Sequence, residues 1–254
     1  MVSQNEQTAT RLYTEIELHS QGILTIPIEQ FDPIFYPGTY GPTLATEVRF
    51  IFRGSFVVTG GTSDLEAWIL AVLAKSRKNI FEFGTCTGKS TYLFAANSPA
   101  DGHVETLTLP SNQVAMYNAN DSDTQSAQQH AIEESRFEMF MYSGTPEEKK
   151  ITQHFCDSKQ FDETKYSSMY DMIFIDGSHA YSYVKSDTEK AMRMVKPGGI
   201  ILWHDFIWRN LSYDPTFDDP TKDVAGYLGT LAKQETLFHL KDTSLVVFRK
   251  PLLE

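Results

Sequence analysis

Ile80-Phe81-Glu82-Phe83-Gly84-Thr85-Cys86-Thr87-Gly88-Lys89-Ser90-Thr91 is the stretch that decides the fold. A short apolar run carries an acid, Glu82, and meets two glycines. Lys89, Ser90 and Thr91 then open a helix. Strand, glycine turn and helix N-terminus together make a site for a polar ligand. Glycines let the backbone come close, and the unpaired N–H groups of the first helical turn point at the ligand. Two nucleotide readings fall short. G-x-G-x-x-G is not met where Phe83 and Cys86 stand, and G-x-x-x-x-G-K-[ST] needs one more residue than Gly84 to Gly88 supply. Gly88-Lys89-Ser90 does match the tail of the second pattern, but Glu82 would repel a triphosphate.

Upstream, Ser63 and Glu66 have capping-box spacing. Leu65, Trp68, Ile69, Val72 and Leu73 recur at helical spacing as a buried stripe, and Lys75, Arg77 and Lys78 suit a helix C-terminus. Before that, Thr10 to Leu18 reads as a short helix. Phe50-Ile51-Phe52 and Phe56-Val57-Val58 read as short strands around Arg53-Gly54. Four prolines with Phe35, Tyr36 and Tyr40 between them mark a segment that wraps over a core or forms an oligomer contact. Residues 1–60 are therefore read as an N-terminal cover, and 61–254 as the main domain.

Downstream, Ser90 to Ala96 is a helix and Val104 to Leu109 a strand. Residues 110–150 are too long for a plain connection and are read as an insert, a lid or dimer contact. The insert holds a helix from Ser126 to Glu134 and a strand or hairpin arm from Phe137 to Tyr142. Ile151 to Cys156 is the next strand, followed by Asp157-Ser158. Tyr170 to Asp176 is a buried strand ending in an acid. A helix with Val184, Thr188, Ala191, Met192 and Val195 on one face leads through Pro197-Gly198-Gly199 to a strand at Ile200 to Trp203 and to His204-Asp205. Residues 206–222 form a loop with Trp208, Tyr213 and Phe217. Val224 to Ala232 is helical, and Phe238 to Leu240 with Leu245 to Phe248 make a terminal hairpin. Repeated strand–helix–strand units give an α/β fold: a doubly wound, mostly parallel sheet of about seven strands, closed by an antiparallel hairpin.

Asp176 and Asp205 end consecutive parallel strands. Neighbouring strands lie ~4.8 Å apart. Two carboxylates at that separation repel unless a proton or cation sits between them. Oxygen donors of this kind suit Mg²⁺ or Ca²⁺, and a contribution from His204 would tilt the preference towards Mn²⁺ or Fe²⁺.

The 254 residues carry a formal net charge of −11, which disfavours a nucleic-acid partner. No run approaches the ~20 apolar residues of a membrane span, and the polar start lacks a signal core, so the expected location is the cytoplasm. Two cysteines, Cys86 and Cys156, make no disulfide framework.

The pattern E-x-G-x-x-x-G-x-S from Glu82 to Ser90, with F-I-D-G-S-H-A-Y (174–181) and K-P-G-G-I-I-L-W-H-D (196–205), resembles class I S-adenosylmethionine (SAM)-dependent methyltransferases. Within them it resembles the metal-dependent O-methyltransferases of macrolide sugars and related natural products. The resemblance covers Ser63 to Arg249. It implies a Rossmann-like SAM-binding domain acting on a small-molecule hydroxyl, with a divalent cation, Mg²⁺ or Mn²⁺. Glu82, Gly84, Thr85, Gly88 and Ser90 would surround the methionine part and ribose of SAM. Asp157 and Ser158 would lie by the adenine, and Thr108 or Leu109 takes the place where the family has a ribose-binding acid. Asp176 would border the cofactor and ligate the metal with His204 and Asp205. His179 or His204 would be the base, since the acid that other members use is replaced by Ser178. A non-catalytic SAM-binding scaffold and, further off, a P-loop nucleotide hydrolase are the alternatives, and a homo-oligomer is compatible with the N-terminal segment and the insert.

Overall fold

The computed structural model describes residues 17–18, 22–55, 61–121, 123–206 and 221–252. In chain order its elements are β1 (Glu17–Leu18), β2 (Leu24–Ile26), α1 (Asp64–Ala74), β3 (Asn79–Phe83), α2 (Lys89–Asn97), β4 (His103–Thr108), α3 (Gln125–Glu134), β5 (Ile151–Phe155), β6 (Tyr170–Ile175), α4 (Tyr181–Met194), β7 (Val195–Trp203), α5 (Lys222–Leu231), β8 (Phe238–Leu240) and β9 (Val246–Arg249). Single helical turns punctuate the connections.

Among the described residues one sheet holds nine strands in the order β1-β2-β8-β9-β7-β6-β3-β4-β5. The run from β7 to β5 is parallel, and β9 lies antiparallel between β7 and β8. The seven strands β3 to β9 are the expected doubly wound sheet with its terminal hairpin. The count rises to nine because residues 17–26 add β2, parallel to β8, and β1, antiparallel to β2. From β3 the chain steps outward to β4 and β5, then returns to the other side of β3 for β6 and β7. That reversal opens a crevice at the carboxyl ends of β3 and β6, where open α/β sheets take their ligands.

Period-two alternation divides the core between two faces. Phe81, Phe83, Ile173, Ile175, Ile201 and Trp203 pack under α4 and α5. Ile80, Met172, Phe174, Ile200 and Leu202 pack under α1 and α2, joined there by Phe31 and Phe35. The capping box at Ser63 forms in both directions: Ser63 N donates to Glu66 Oε2 at 2.8 Å, and Glu66 N donates to Ser63 Oγ at 3.2 Å. Helix α1 is buried almost all round. Leu65, assigned to its buried stripe, is instead 40% exposed. Among the described residues, no helix is long and apolar enough to cross a membrane.

Three local expectations differ from the structure. Phe50-Ile51-Phe52 is irregular, with Phe52 turned outward. Phe137 to Tyr142 forms turns, fixed by Met141 N donating to Thr87 O at 2.9 Å. The segment 195–199 belongs to β7 itself, which runs through Pro197-Gly198-Gly199 with an irregularity opposite Tyr170 and Met172. Phe56-Val57-Val58, most of Thr10 to Leu18, and Trp208, Tyr213 and Phe217 lie outside the described residues.

The N-terminal segment is bound to the core through charge as well as packing. Asp32 accepts from Arg77 Nη2 at 2.8 Å and lies 3.4 Å from Arg249 Nη2. Burial would raise the Asp32 carboxyl, but Arg77 outweighs it and the group is held below its ordinary value. Removing one partner of such a pair strands the other, at a cost of ~3–5 kcal/mol. Asp32→Ala should therefore lower unfolding free energy by about 3 kcal/mol at neutral pH. Because the lowered pKa stabilises the fold only while the carboxylate is ionised, the gap from wild type should shrink as pH falls through that value. Denaturant melts at several pH values measure both.

Candidate active site

The crevice is built on a close contact between two strand ends. Gly84 follows β3 with φ of +97°, and Asp176 N donates to Phe83 O at 2.8 Å. A Cβ at Gly84 would stand 2.0 Å from the Asp176 carbonyl oxygen. Gly84 is thus required first by the backbone of Asp176. Gly88 caps α2 in the left-handed region, φ +77°, where a Cβ would meet Tyr142 and Phe140 side chains at 2.9–3.0 Å.

From this contact a cleft runs to the ends of β4 and β5. Gly84 and Asp176 border one end, and Thr108, Asp157 and Ser158 the other, so five of the nine proposed cofactor residues line it. Asp157 is 3% exposed and accepts from Lys159 N at 2.9 Å and from Tyr183 Oη at 3.1 Å. The Tyr183 ring stacks on Tyr117 of the insert with centroids 4.6 Å apart and planes within 8°. Asp187 of α4 lines the same end, and burial pushes its carboxyl up to about 7. Tyr117, Tyr183 and Asp187 were not singled out from sequence. An acid inside the apolar stripe of α4 was the readable signal for Asp187.

Four residues of the glycine stretch lie behind the cleft wall. Thr85 Oγ1 is 2.8 Å from Thr106 Oγ1, and Ser90 is 8% exposed. Glu82 is fully buried and accepts from Thr106 Oγ1 at 2.6 Å and from Thr91 Oγ1. Strand alternation turns Phe83 to the cleft and Glu82 towards α2. Burial raises the Glu82 carboxyl to about 7, against the lowering effect of its hydroxyl donors. Lys89 is buried too, donating to Thr62 O at 3.1 Å, so the P-loop-like tail points its ammonium away from the cleft.

At the Asp176 end the acids and histidines converge. Ile175 pairs with Trp203, which sets Asp176 beside His204 and Asp205. His204 Nδ1 lies 3.0 Å from Asp176 Oδ1 and 3.2 Å from Asp205 Oδ2. His179 Nε2 lies 2.8 Å from Asp205 Oδ2. Asp205 itself has φ of +59°, a left-handed conformation uncommon outside glycine. Burial would lower both imidazoles, yet the carboxylates prevail: His179 rises to about 9 and His204 well above its ordinary value. Asp176 is raised by burial, and Asp205 is drawn well below its ordinary value by the two imidazoles despite burial. The acids thus favour the charged form of both imidazoles.

The same charge balance fits a divalent cation. Asp176, His179 and Asp205 each offer a ligand atom within 4.8 Å of the others, and His204 Nδ1 reaches both acids. Two carboxylate oxygens with imidazole nitrogen suit Mg²⁺ or Mn²⁺, provided the imidazole facing the acids gives up its proton. Behind His204, Glu66 Oε2 lies 3.4 Å from Nε2, while Glu66 Oε1 accepts from Ser244 N at 2.5 Å and Ser244 Oγ at 2.7 Å. The capping-box acid therefore also orients His204, which its spacing alone could not disclose. Ser178 Oγ is 2.6 Å from Tyr117 Oη.

Residues 81–206, about half of the chain, match the family described as a methyltransferase domain. Comparison with curated proteins finds no match. Among solved structures, the SAH-bound methyltransferase PaMTH1 of Podospora anserina is 15% identical and covers 98% of this chain and 97% of its own, with a TM-score of 0.52. A protein from Staphylococcus aureus provisionally assigned as a caffeoyl-CoA O-methyltransferase is 20% identical over 98% and 100%, with a TM-score of 0.52. Cofactor-bound Rv0187 from MTB is 14% identical over 82% and 86%, with a TM-score of 0.51.

Two outcomes follow from the glycine stretch. Gly84→Ala should cost far more stability than Gly88→Ala, because the first meets backbone and the second only side chains; thermal melts compare them. Glu82, with a pKa raised to about 7, favours the folded state most in acid. Its contribution should decline as pH rises from 4.5 through about 7, by up to roughly 3 kcal/mol, and Glu82→Gln should remove that part of the wild-type slope.

Proposed function

We propose that the chain is a class I SAM-dependent methyltransferase that methylates a hydroxyl oxygen of a small-molecule acceptor, assisted by a divalent cation at Asp176 and Asp205. The observation that carries this reading is the histidine–carboxylate cluster at the Asp176 end of the cleft, where His179 Nε2 meets Asp205 at 2.8 Å. An alcohol must shed a proton as its oxygen is methylated, and a buried imidazole held by a carboxylate is suited to receive it. The assignment of the Staphylococcus aureus neighbour as an O-methyltransferase points the same way.

SAM, when bound, supplies an electrophilic methyl group on its sulfonium. Asp157, with the stacked Tyr117 and Tyr183, fits the adenine end, and the bare backbone at Gly84 admits the methionine end. Asp176 then stands where donor and acceptor meet. Most of the acceleration in such a site comes from aligning the two reactants. Once neutral, His179 takes the acceptor's proton, and Asp205 stabilises the imidazolium that results. His204, fixed from behind by Glu66, sets the position of both acids. When bound, the cation would be held by Asp176, Asp205 and His204, and would polarise the acceptor oxygen as a Lewis acid.

Sugar, polyketide and phenolic hydroxyls are the acceptor classes to screen. Against the acceptor found, chelation with EDTA should abolish turnover, and Mg²⁺ or Mn²⁺ should restore it. Asp176→Asn and Asp205→Asn should each lower kcat, with the double variant scarcely worse than either, because a shared function is lost once. His179→Ala should lower kcat by ~10²–10⁴ while SAM affinity, read by calorimetry, stays near wild type. Turnover that survives exhaustive chelation would leave the His179–Asp205 pair acting without a cation.

A further inference from the structure

The insert sets a second group of ligand atoms beside the first. Helix α3 carries His130 and Glu134 four residues apart, a spacing that places both on one face. That face meets His179. The His130 and His179 rings stack with centroids 4.8 Å apart and planes at 27°, and His130, Glu134 and His179 each offer a ligand atom within 4.8 Å of the others. His179 turns Nε2 to Asp205. Its Nδ1 is buried and, among the described residues, makes no hydrogen bond. His130 Nδ1 is also buried without a hydrogen bond, although Glu134 Oε2 lies 3.5 Å away. Two imidazole nitrogens left unsatisfied beside a carboxylate are uncommon in a packed interior. The His130 side chain is 37% exposed, which gives an ion a way in.

We propose that His130, Glu134 and His179 form a second cation site, for a transition ion such as Zn²⁺ or Co²⁺, that fastens the insert to the catalytic edge. Two nitrogens among three donors favour ions that take imidazole over Mg²⁺, which prefers oxygen. Three protein ligands leave a further position for water. Helix α3 lines the cleft through Ala131, Glu134 and Ser135, so the ion fixes one cleft wall. On the reading of His179 as the base, the site is also inhibitory. An ion on Nδ1 leaves Nε2–H on Asp205, and the imidazole then has no lone pair for the acceptor's proton.

The binding claim is tested without turnover, and so apart from that reading. Tag-free protein held in millimolar-range Mg²⁺, to fill the Asp176–Asp205 site, is titrated with Co²⁺ and followed by visible absorption. The wild type should take up one equivalent, with the d–d bands of a low-coordinate site containing nitrogen. His130→Ala and the isosteric Glu134→Gln should each weaken uptake by ~10²-fold or more, since loss of a direct ligand costs at least what loss of an outer-shell partner can reach. Melting curves confirm that both variants are folded and still stabilised by Mg²⁺. The proposal is overturned if the wild type takes up no Co²⁺ under Mg²⁺, or if both variants bind it as wild type does.

Discussion

Two carboxylates buried at the ends of adjacent parallel strands cannot both be ionised without a positive partner, and much of this active edge answers that constraint. Asp176 and Asp205 are brought together by the pairing of Ile175 with Trp203. His204 stands between them, and His179 closes on Asp205 from the loop after β6. Glu66 steadies His204 from α1 and ties the same point to Ser244 in the β8–β9 turn. Helix, hairpin and two central strands thus converge on one balanced cluster.

That cluster sits at one end of a cleft whose existence rests on a backbone contact. Gly84 lets β3 and β6 end side by side, and the reversal of chain direction at that point opens the crevice. The aromatic pair Tyr117–Tyr183 and the acids Asp157 and Asp187 shape the far end. On the function proposed, binding and chemistry would be separated along one axis, adenine at the β4–β5 end and reacting atoms at the β6–β7 end. The same sheet edge serves both.

The parts legible in sequence were those governed by local rules. The strand–turn–helix at Ile80 to Thr91, the capping box at Ser63, the acids closing β6 and β7 and the terminal hairpin all carry short-range signals. Glu82 shows where such signals stop: the motif marks it as important, but strand alternation turns it under α2, where Thr91 and Thr106 hold it. Phe50-Ile51-Phe52 has the composition of a strand but pairs with none of the described strands. Glu66, His130 and Glu134 were visible only as helix residues, because their partners His204, Ser244 and His179 are 45 or more residues away. Long-range contact, not composition, makes them part of the site.

The central claim is that the two acids are balanced by positive charge, from imidazolium protons when no cation is bound. Nitrogen-15 NMR of the His179 and His204 rings reads this directly. In metal-free protein at neutral pH, both rings should show imidazolium shifts, and saturating Mg²⁺ should convert both to the neutral form. Neutral rings in the metal-free protein, with the protons residing on Asp176 and Asp205 instead, would contradict the account.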